Sequence, residues 1–144
     1  MFETIVVGTD GSETATTALR RAAELARLSR GTLHIVSAYR PTSARTQEAK
    51  LGHLPDEYRW SITADSELNS TLEAALLVAT GLGAKAETVG HVGDPVEVIL
   101  AAAESLGADV IVIGSRGVER RILGSVPNSI TRKAHCDVLV VHTA

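Results

Sequence analysis

Aromatic side chains are scarce in this sequence, which has one phenylalanine, two tyrosines and one tryptophan. The core must therefore be built from Ala, Val, Ile and Leu, and such small side chains favour helices packed closely on a sheet. The single cysteine, Cys136, excludes an internal disulfide and a zinc site built on several cysteines. His135 beside it does not complete a plausible metal site, since zinc needs further ligands.

Two further absences narrow the class of protein. No apolar run reaches the ~18 residues that a transmembrane helix needs, and the N-terminal residues lack the basic region of a secretion signal. The net charge is −3 at pH 7, without the basic excess typical of nucleic-acid-binding domains. We therefore expect a single cytoplasmic domain over residues 1–144, with neither nucleic acid nor a membrane as a partner.

Short β-branched runs alternate with helical periodicity along the chain. Continuous apolar runs at Thr4–Gly8 and Val110–Gly114 are typical of buried parallel strands. Between the strands, apolar residues at helical spacing predict amphipathic helices. The five predicted strands cover residues 4–8, 33–38, 86–91, 110–114 and 138–141. This order predicts an α/β fold with an open parallel sheet and helices on both faces.

One long segment, residues 40–64, shows neither the apolar run of a buried strand nor the apolar spacing of a helix. It contains Pro41, Gly52 and Pro55. It is predicted to be a connection, and a connection of this length is usually functional or mobile. The next helix is predicted from Leu68, and the one after it begins at Asp94-Pro95, where Asp is a good N-cap and Pro a good first residue.

The ligand site of an open α/β sheet lies beyond the carboxyl ends of the strands. The first loop there, after Gly8, contains Thr9 and Asp10. Asp10 could bind a ribose hydroxyl, an adenine amine or Mg²⁺. Alternatively, Asp10 or Ser12 simply caps the following helix.

The loop after the fourth predicted strand carries Gly114 and Gly117, with Gly124-Ser125 six residues later. Glycine permits close approach of the backbone to a ligand, and the helix that opens at Gly124-Ser125 would attract an anion through its N–H groups and dipole. The alternative is that these glycines only shape turns. The pattern matches neither the Walker loop nor the dinucleotide fingerprint.

In combination, these segments resemble the universal stress protein family over essentially the whole chain. The matching segments are Val7-Gly8-Thr9-Asp10-Gly11-Ser12, Asp109 through Gly117, Gly124-Ser125-Val126-Pro127 and Asp137-Val138-Leu139-Val140-Val141. The resemblance implies a Rossmann-like sheet of order 3-2-1-4-5, similar to the adenine nucleotide alpha hydrolases. Nucleotide-binding members hold ATP at the carboxyl ends of the first and fourth strands. Their motif has nine residues between its two halves, where this chain has six.

The resemblance also implies roles for individual residues. Asp10 would contact the adenosine, the backbone of Ala38 would border the adenine, and the N–H groups that open the last helix would hold the phosphates. Arg116 is added because its charge could pair with a phosphate, although a solvated arginine is the simpler interpretation. The complete predicted site is Gly8, Thr9, Asp10, Ala38, Gly114, Arg116, Gly117, Gly124, Ser125 and Val126.

The expected function is a regulatory or stress-response module that binds ATP or a related adenine nucleotide, with Mg²⁺ possible at Asp10. The shortened loop leaves AMP or cyclic AMP as an alternative ligand. A slow ATPase is a second alternative, although no activated nucleophile or general base is apparent. A third is a module that binds no nucleotide and acts through dimer contacts.

Two segments are candidates for contacts outside the nucleotide site. The fifth strand, residues 138–141, is expected to be an apolar sheet edge, which favours pairing with a second copy of the chain. The family resemblance also implies a homodimer through this strand. Trp60 could cover an adenine ring, but it could equally cover a core edge or a subunit contact.

Overall fold

A computed structural model of the chain describes residues 2–39, 56–115 and 124–143. Its strands are β1 (Thr4–Gly8), β2 (Thr32–Tyr39), β3 (Lys85–Val92), β4 (Val110–Gly114) and β5 (Asp137–Val141). The helices of the described residues are α1 (Glu13–Ser29), α2 (Asp56–Gly81), α3 (Pro95–Leu106) and α4 (Ser125–Lys133). The strands form one parallel sheet of order β3-β2-β1-β4-β5, which confirms the expected fold.

Helices cover both faces of this sheet because residues alternate across β1. Ile5 and Val7 belong to one buried cluster, which also contains residues of α1 and α2. Val6, between them, belongs to a second cluster with Ile99 of α3 and Ile130 of α4. Both faces of the central strand are thus buried, which explains its uninterrupted apolar sequence.

Asp109 fixes the alignment of β1 with β4 at the amino-terminal edge of the sheet. Its Oδ2 accepts hydrogen bonds from the backbone N–H groups of Glu3 and Thr4, each at 2.9 Å. Its own N–H donates to the carbonyl of Thr4 at 2.8 Å. These bonds lie just before the Ile5–Val110 pair of the register, so one side chain sets the starting point of both strands.

The helix starts resolve one open question and confirm another expectation. Ser12 caps α1, because its Oγ accepts from the N–H of Ala15 at 3.2 Å. Asp10 therefore does not cap this helix. Asp94 caps α3 with Pro95 as the first helical residue, as expected, and its carboxylate accepts from the N–H of Val96 at 3.1 Å.

The long connection predicted over residues 40–64 is wrong from residue 56 onward, because α2 begins at Asp56 and includes Trp60. Residues 40–55 lie outside the described part of the chain. Among the described side chains of α2, Leu72, Ala75 and Ala79 are buried. In the sequence, the apolar spacing typical of an amphipathic helix begins only at Leu68. The residues before it carry no such pattern, so the sequence did not predict the start of this helix.

α2 reaches the loop after β1. Thr71 lies beside Gly11 in that loop, with its Cγ2 3.6 Å from the position of a Cβ on that glycine. No helix in the described ranges is both long and apolar enough to cross a bilayer.

Candidate functional site

The carboxyl ends of β1 and β4 lie side by side at the centre of the sheet. The two strands are hydrogen-bonded neighbours with Val7 opposite Val112. The first turn of α1 also reaches the end of β4, since a Cβ on Gly114 would lie 3.6 Å from the carbonyl oxygen of Thr14. The fold therefore brings together the two loops that the sequence separates by about a hundred residues.

Thr9 is the buried anchor of the first loop. It is 8% exposed, and its N–H donates to the carbonyl of Val36 at 2.9 Å. Its Oγ1 accepts from the N–H of Gly11 at 3.1 Å. Gly11 has φ +83°, a left-handed conformation that favours glycine. Thr9 and Gly11 thus fix the turn that presents Asp10.

Asp10 lies on the exposed side of this turn. Its Oδ1 accepts from the N–H of Ser12 at 2.9 Å, an Asx turn that holds the carboxylate in place. Ala38, the predicted neighbour of the adenine, lies on β2 two residues beyond Val36, which is paired with Gly8. Asp10 and Ala38 are therefore at the same level of the carboxyl edge.

The side chains of Ile99 and Thr143 pack closely against Gly8 and Gly114. A Cβ at residue 8 would lie 2.6 Å from Cδ1 of Ile99, and one at residue 114 would lie 2.9 Å from Cγ2 of Thr143. Real Cβ atoms essentially never approach a neighbour this closely. These glycines let α3 and residue 143 pack against the strand ends, a reason that is independent of any ligand.

The first turn of α4 offers hydrogen-bond donors at this edge. Gly124 is the N-cap, with φ −62° and ψ 167°, and its N–H donates to the carbonyl of Ser115 at 3.1 Å. Pro127 has no N–H group, and the N–H of Asn128 donates to Gly124. The N–H groups of Ser125 and Val126 are the ones left without a partner inside α4. Together with the Ser125 hydroxyl, they are suited to an anion.

Ser115 is a residue of this edge to which sequence reasoning assigned no role. It is 5% exposed, and its N–H donates to the carbonyl of Val141 at 2.8 Å. Its Oγ accepts from the N–H of Thr143 at 3.2 Å. A serine next to a glycine gives no sequence signal of such long-range bonds, so only the structure reveals them. Arg116 and Gly117 lie outside the described residues, as does the charged run at 119–121.

The cysteine is far from this edge. Cys136 precedes β5 at the opposite, amino-terminal edge of the sheet. Partial burial and the nearby carboxylates of Asp137 and Asp109 raise the pKa of its thiol, so the reactive thiolate form is disfavoured. Within the described residues, no group of three or more His, Cys, Asp or Glu side chains is arranged to hold a metal ion.

An open parallel sheet with helices on both faces, with its two central loops at the carboxyl ends of β1 and β4, defines the doubly wound α/β class of folds. Within that class, the model of the universal stress protein family matches residues 1–142, and the chain belongs to this family. Universal stress protein Rv1636 of Mycobacterium tuberculosis is 36% identical over 99% of this chain and 97% of its own length. Universal stress protein YxiE of Bacillus subtilis is 31% identical over 98% of this chain and 99% of its own.

Solved structures of universal stress proteins share the fold. One, in complex with cAMP, has a TM-score of 0.74 and 33% identity, and the match covers 99% of this chain and 98% of that one. Another, from Archaeoglobus fulgidus in complex with dAMP, has a TM-score of 0.71 and 29% identity, covering 96% and 97%. Two relatives of this chain thus carry adenine nucleotides with a single phosphate.

Proposed function

We propose that this chain binds an adenine nucleotide at the carboxyl ends of β1 and β4 and acts as a cytoplasmic regulatory or stress-response module. The observation that carries the proposal is the first turn of α4, where the N–H groups of Ser125 and Val126 and the Ser125 hydroxyl meet the edge that also holds Asp10. The cAMP and dAMP complexes of related proteins support the class of ligand.

The number of donors bears on which nucleotide is bound. ATP is the ligand expected from the sequence, but the described part of the phosphate cradle, Ser125 and Val126, provides two N–H groups and one hydroxyl. That set is enough for one phosphoryl group. We therefore include AMP and cyclic AMP with ATP as proposed ligands. Mg²⁺ would accompany ATP with Asp10 as its protein ligand, although one Asp10 oxygen already accepts from Ser12.

Calorimetric titration with ATP, AMP, cyclic AMP and adenosine tests this proposal. A phosphate held by the α4 N–H groups adds charge-assisted hydrogen bonds of about 1.5–3 kcal/mol. We therefore expect at least one phosphorylated ligand to bind about tenfold or more tightly than adenosine. If none of the four ligands binds, or if adenosine binds as tightly as the phosphorylated ones, the proposed function is wrong.

Replacement of Asp10 separates its ligand role from its structural role. Asp10→Ala is expected to weaken nucleotide binding about tenfold, while the free energy of unfolding falls by about 1 kcal/mol or less, the scale of a lost helix cap. Asp10→Asn is the matched control, because its amide oxygen can still accept from Ser12. We expect Asp10→Asn to restore stability but not full affinity, measured by urea unfolding and calorimetry. A large loss of stability with unchanged affinity would instead assign Asp10 to the fold alone.

We also propose that the chain forms a homodimer through β5. Along the sheet of the described residues this strand pairs with β4 on one side only, and it contains neither proline nor lysine. Leu139 is 39% exposed there. An apolar edge without such protection favours pairing with another chain, and a two-fold axis would join two β5 strands antiparallel into a closed dimer.

Light scattering at micromolar concentration tests the dimer. The unmodified chain is expected to have the mass of two copies, and Leu139→Lys is expected to shift it toward one copy, because a charge would be buried in the contact. Leu77→Lys is the matched control, since Leu77 is 74% exposed on α2. A monomeric unmodified chain would refute the proposed contact.

A further inference from the structure

Ser115 uses both its backbone and its side chain to join three segments of the chain. Its carbonyl accepts from Gly124, which starts α4, and its N–H donates to Val141, which ends β5. Its Oγ accepts from the N–H of Thr143 at 3.2 Å, and the two hydroxyl oxygens lie 3.5 Å apart. Ser115 and Thr143 are 5% and 9% exposed, so these bonds are shielded from water.

These bonds link the start of α4 and the segment after β5 to a single residue. Ser115 accepts from the N–H of Gly124 and from the N–H of Thr143, and α4 and β5 lie between these two donors in the chain. The start of α4 has its position relative to the sheet set by Ser115. Ser115, in turn, is held in place by the segment that follows β5.

The fit of Thr143 against the end of β4 is close. A Cβ on Gly114 would lie 2.9 Å from Cγ2 of Thr143, so residue 143 occupies the space that a side chain at 114 would fill. The Ser115 hydroxyl is therefore the polar partner of a tightly packed contact. Its removal would take an acceptor from a buried N–H group, which disfavours the packed arrangement.

We infer that Ser115 is a positioning residue for the phosphate cradle. Its hydroxyl holds Thr143 and thereby fixes the backbone of Ser115, to which Gly124 is hydrogen-bonded. The orientation of the next two N–H groups, those of Ser125 and Val126, depends on this anchor. Ser115 itself need not touch the ligand. The inference rests on the proposed function, since it concerns the same binding edge.

Ser115→Ala tests this role, with ATP, AMP, cyclic AMP and adenosine as ligands in calorimetry. We expect the affinity for the phosphorylated ligand that binds the unmodified chain to fall about tenfold, and that for adenosine to change less than about twofold. A general loss of structure would weaken both alike. Thr131→Ala is the control on α4, because the Thr131 hydroxyl bonds only to the nearby carbonyl of Asn128. It should leave all affinities unchanged.

Amide hydrogen exchange gives a measurement that needs no ligand. In Ser115→Ala, the amides of Gly124 and Thr143 are expected to exchange faster, while that of Thr9, on the other loop, keeps its rate. Thr143→Pro removes the donor of the same bond and should reproduce the loss of phosphate-dependent affinity. This second variant also serves if Ser115→Ala does not fold.

The outcomes separate the two proposals. If the unmodified chain binds no nucleotide, the proposed function is wrong, and with it the role of Ser115 in binding. If the unmodified chain binds a nucleotide and both variants bind it equally well, the function stands and the inference about Ser115 is overturned. Unchanged exchange at Gly124 in Ser115→Ala overturns it as well.

Discussion

Gly124→Asp is expected to reduce nucleotide affinity about a hundredfold or more, ~2.7 kcal/mol, without loss of stability. Residue 124 has the extended backbone of an N-cap, a position that favours aspartate. Its carboxylate would accept from the N–H of Val126, one of the two donors of the phosphate cradle, and would repel the phosphate. The free energy of unfolding should therefore stay constant or rise by a few tenths of a kcal/mol.

Gly124→Asn is the matched control for this result. Asparagine caps a helix about as well as aspartate but carries no charge, so the difference between the two variants isolates the repulsion. Calorimetry gives the affinities, and urea unfolding gives the stabilities. If Gly124→Asp binds the nucleotide as tightly as the unmodified chain, the ligand does not bind at the start of α4.

Ile111→Ala should cause a large loss of stability. Ile111 is 0% exposed on β4, in the cluster that also contains Ile99 of α3 and Ile130 of α4. Truncating such a side chain to alanine costs about 2–5 kcal/mol, because the lost burial is joined by the cost of a cavity. The midpoint of urea unfolding should shift accordingly.

Leu28→Ala is the control for this truncation. Leu28 is 74% exposed on α1, so its removal should change the free energy of unfolding by no more than about 0.5 kcal/mol. Equal effects of the two substitutions would mean that Ile111 is not packed in the core.

Strands β1 and β4 could be predicted from the sequence because burial on both faces leaves an uninterrupted apolar run, as in Val110–Gly114. The family resemblance supplied the strand order, which such runs do not encode. The start of α2 could not be predicted, because the sequence before Leu68 shows no regular helical spacing of apolar residues. The N-cap of α1 could not be assigned from the sequence, because aspartate and serine are both favoured there and Asp10 and Ser12 lie two residues apart. The backbone geometry selects Ser12.

The location of the candidate site could be predicted from the sequence, but the contacts within it could not. Glycine patterns located the ends of β1 and β4, where Gly8 and Gly114 lie. The sequence did not indicate that these glycines make room for Ile99 and Thr143. Nor did it indicate that the carbonyl of Ser115 accepts a hydrogen bond from the N–H of Gly124. Hydrogen bonds between residues distant in the chain leave no pattern in the local sequence. The binding roles of the predicted residues remain predictions for the experiments above.

The central place of β1 has a consequence for how the chain is made. This strand pairs with β2 on one edge and with β4 on the other, and β4 begins only at residue 110. At roughly 5–20 residues per second, the ribosome needs about 5–20 s between these two strands. During that interval one edge of an apolar strand lacks its partner and is open to aggregation. Substitutions at Asp109, which aligns β4 with β1, should therefore lower the yield of folded chain during synthesis more than they lower the stability of the finished protein.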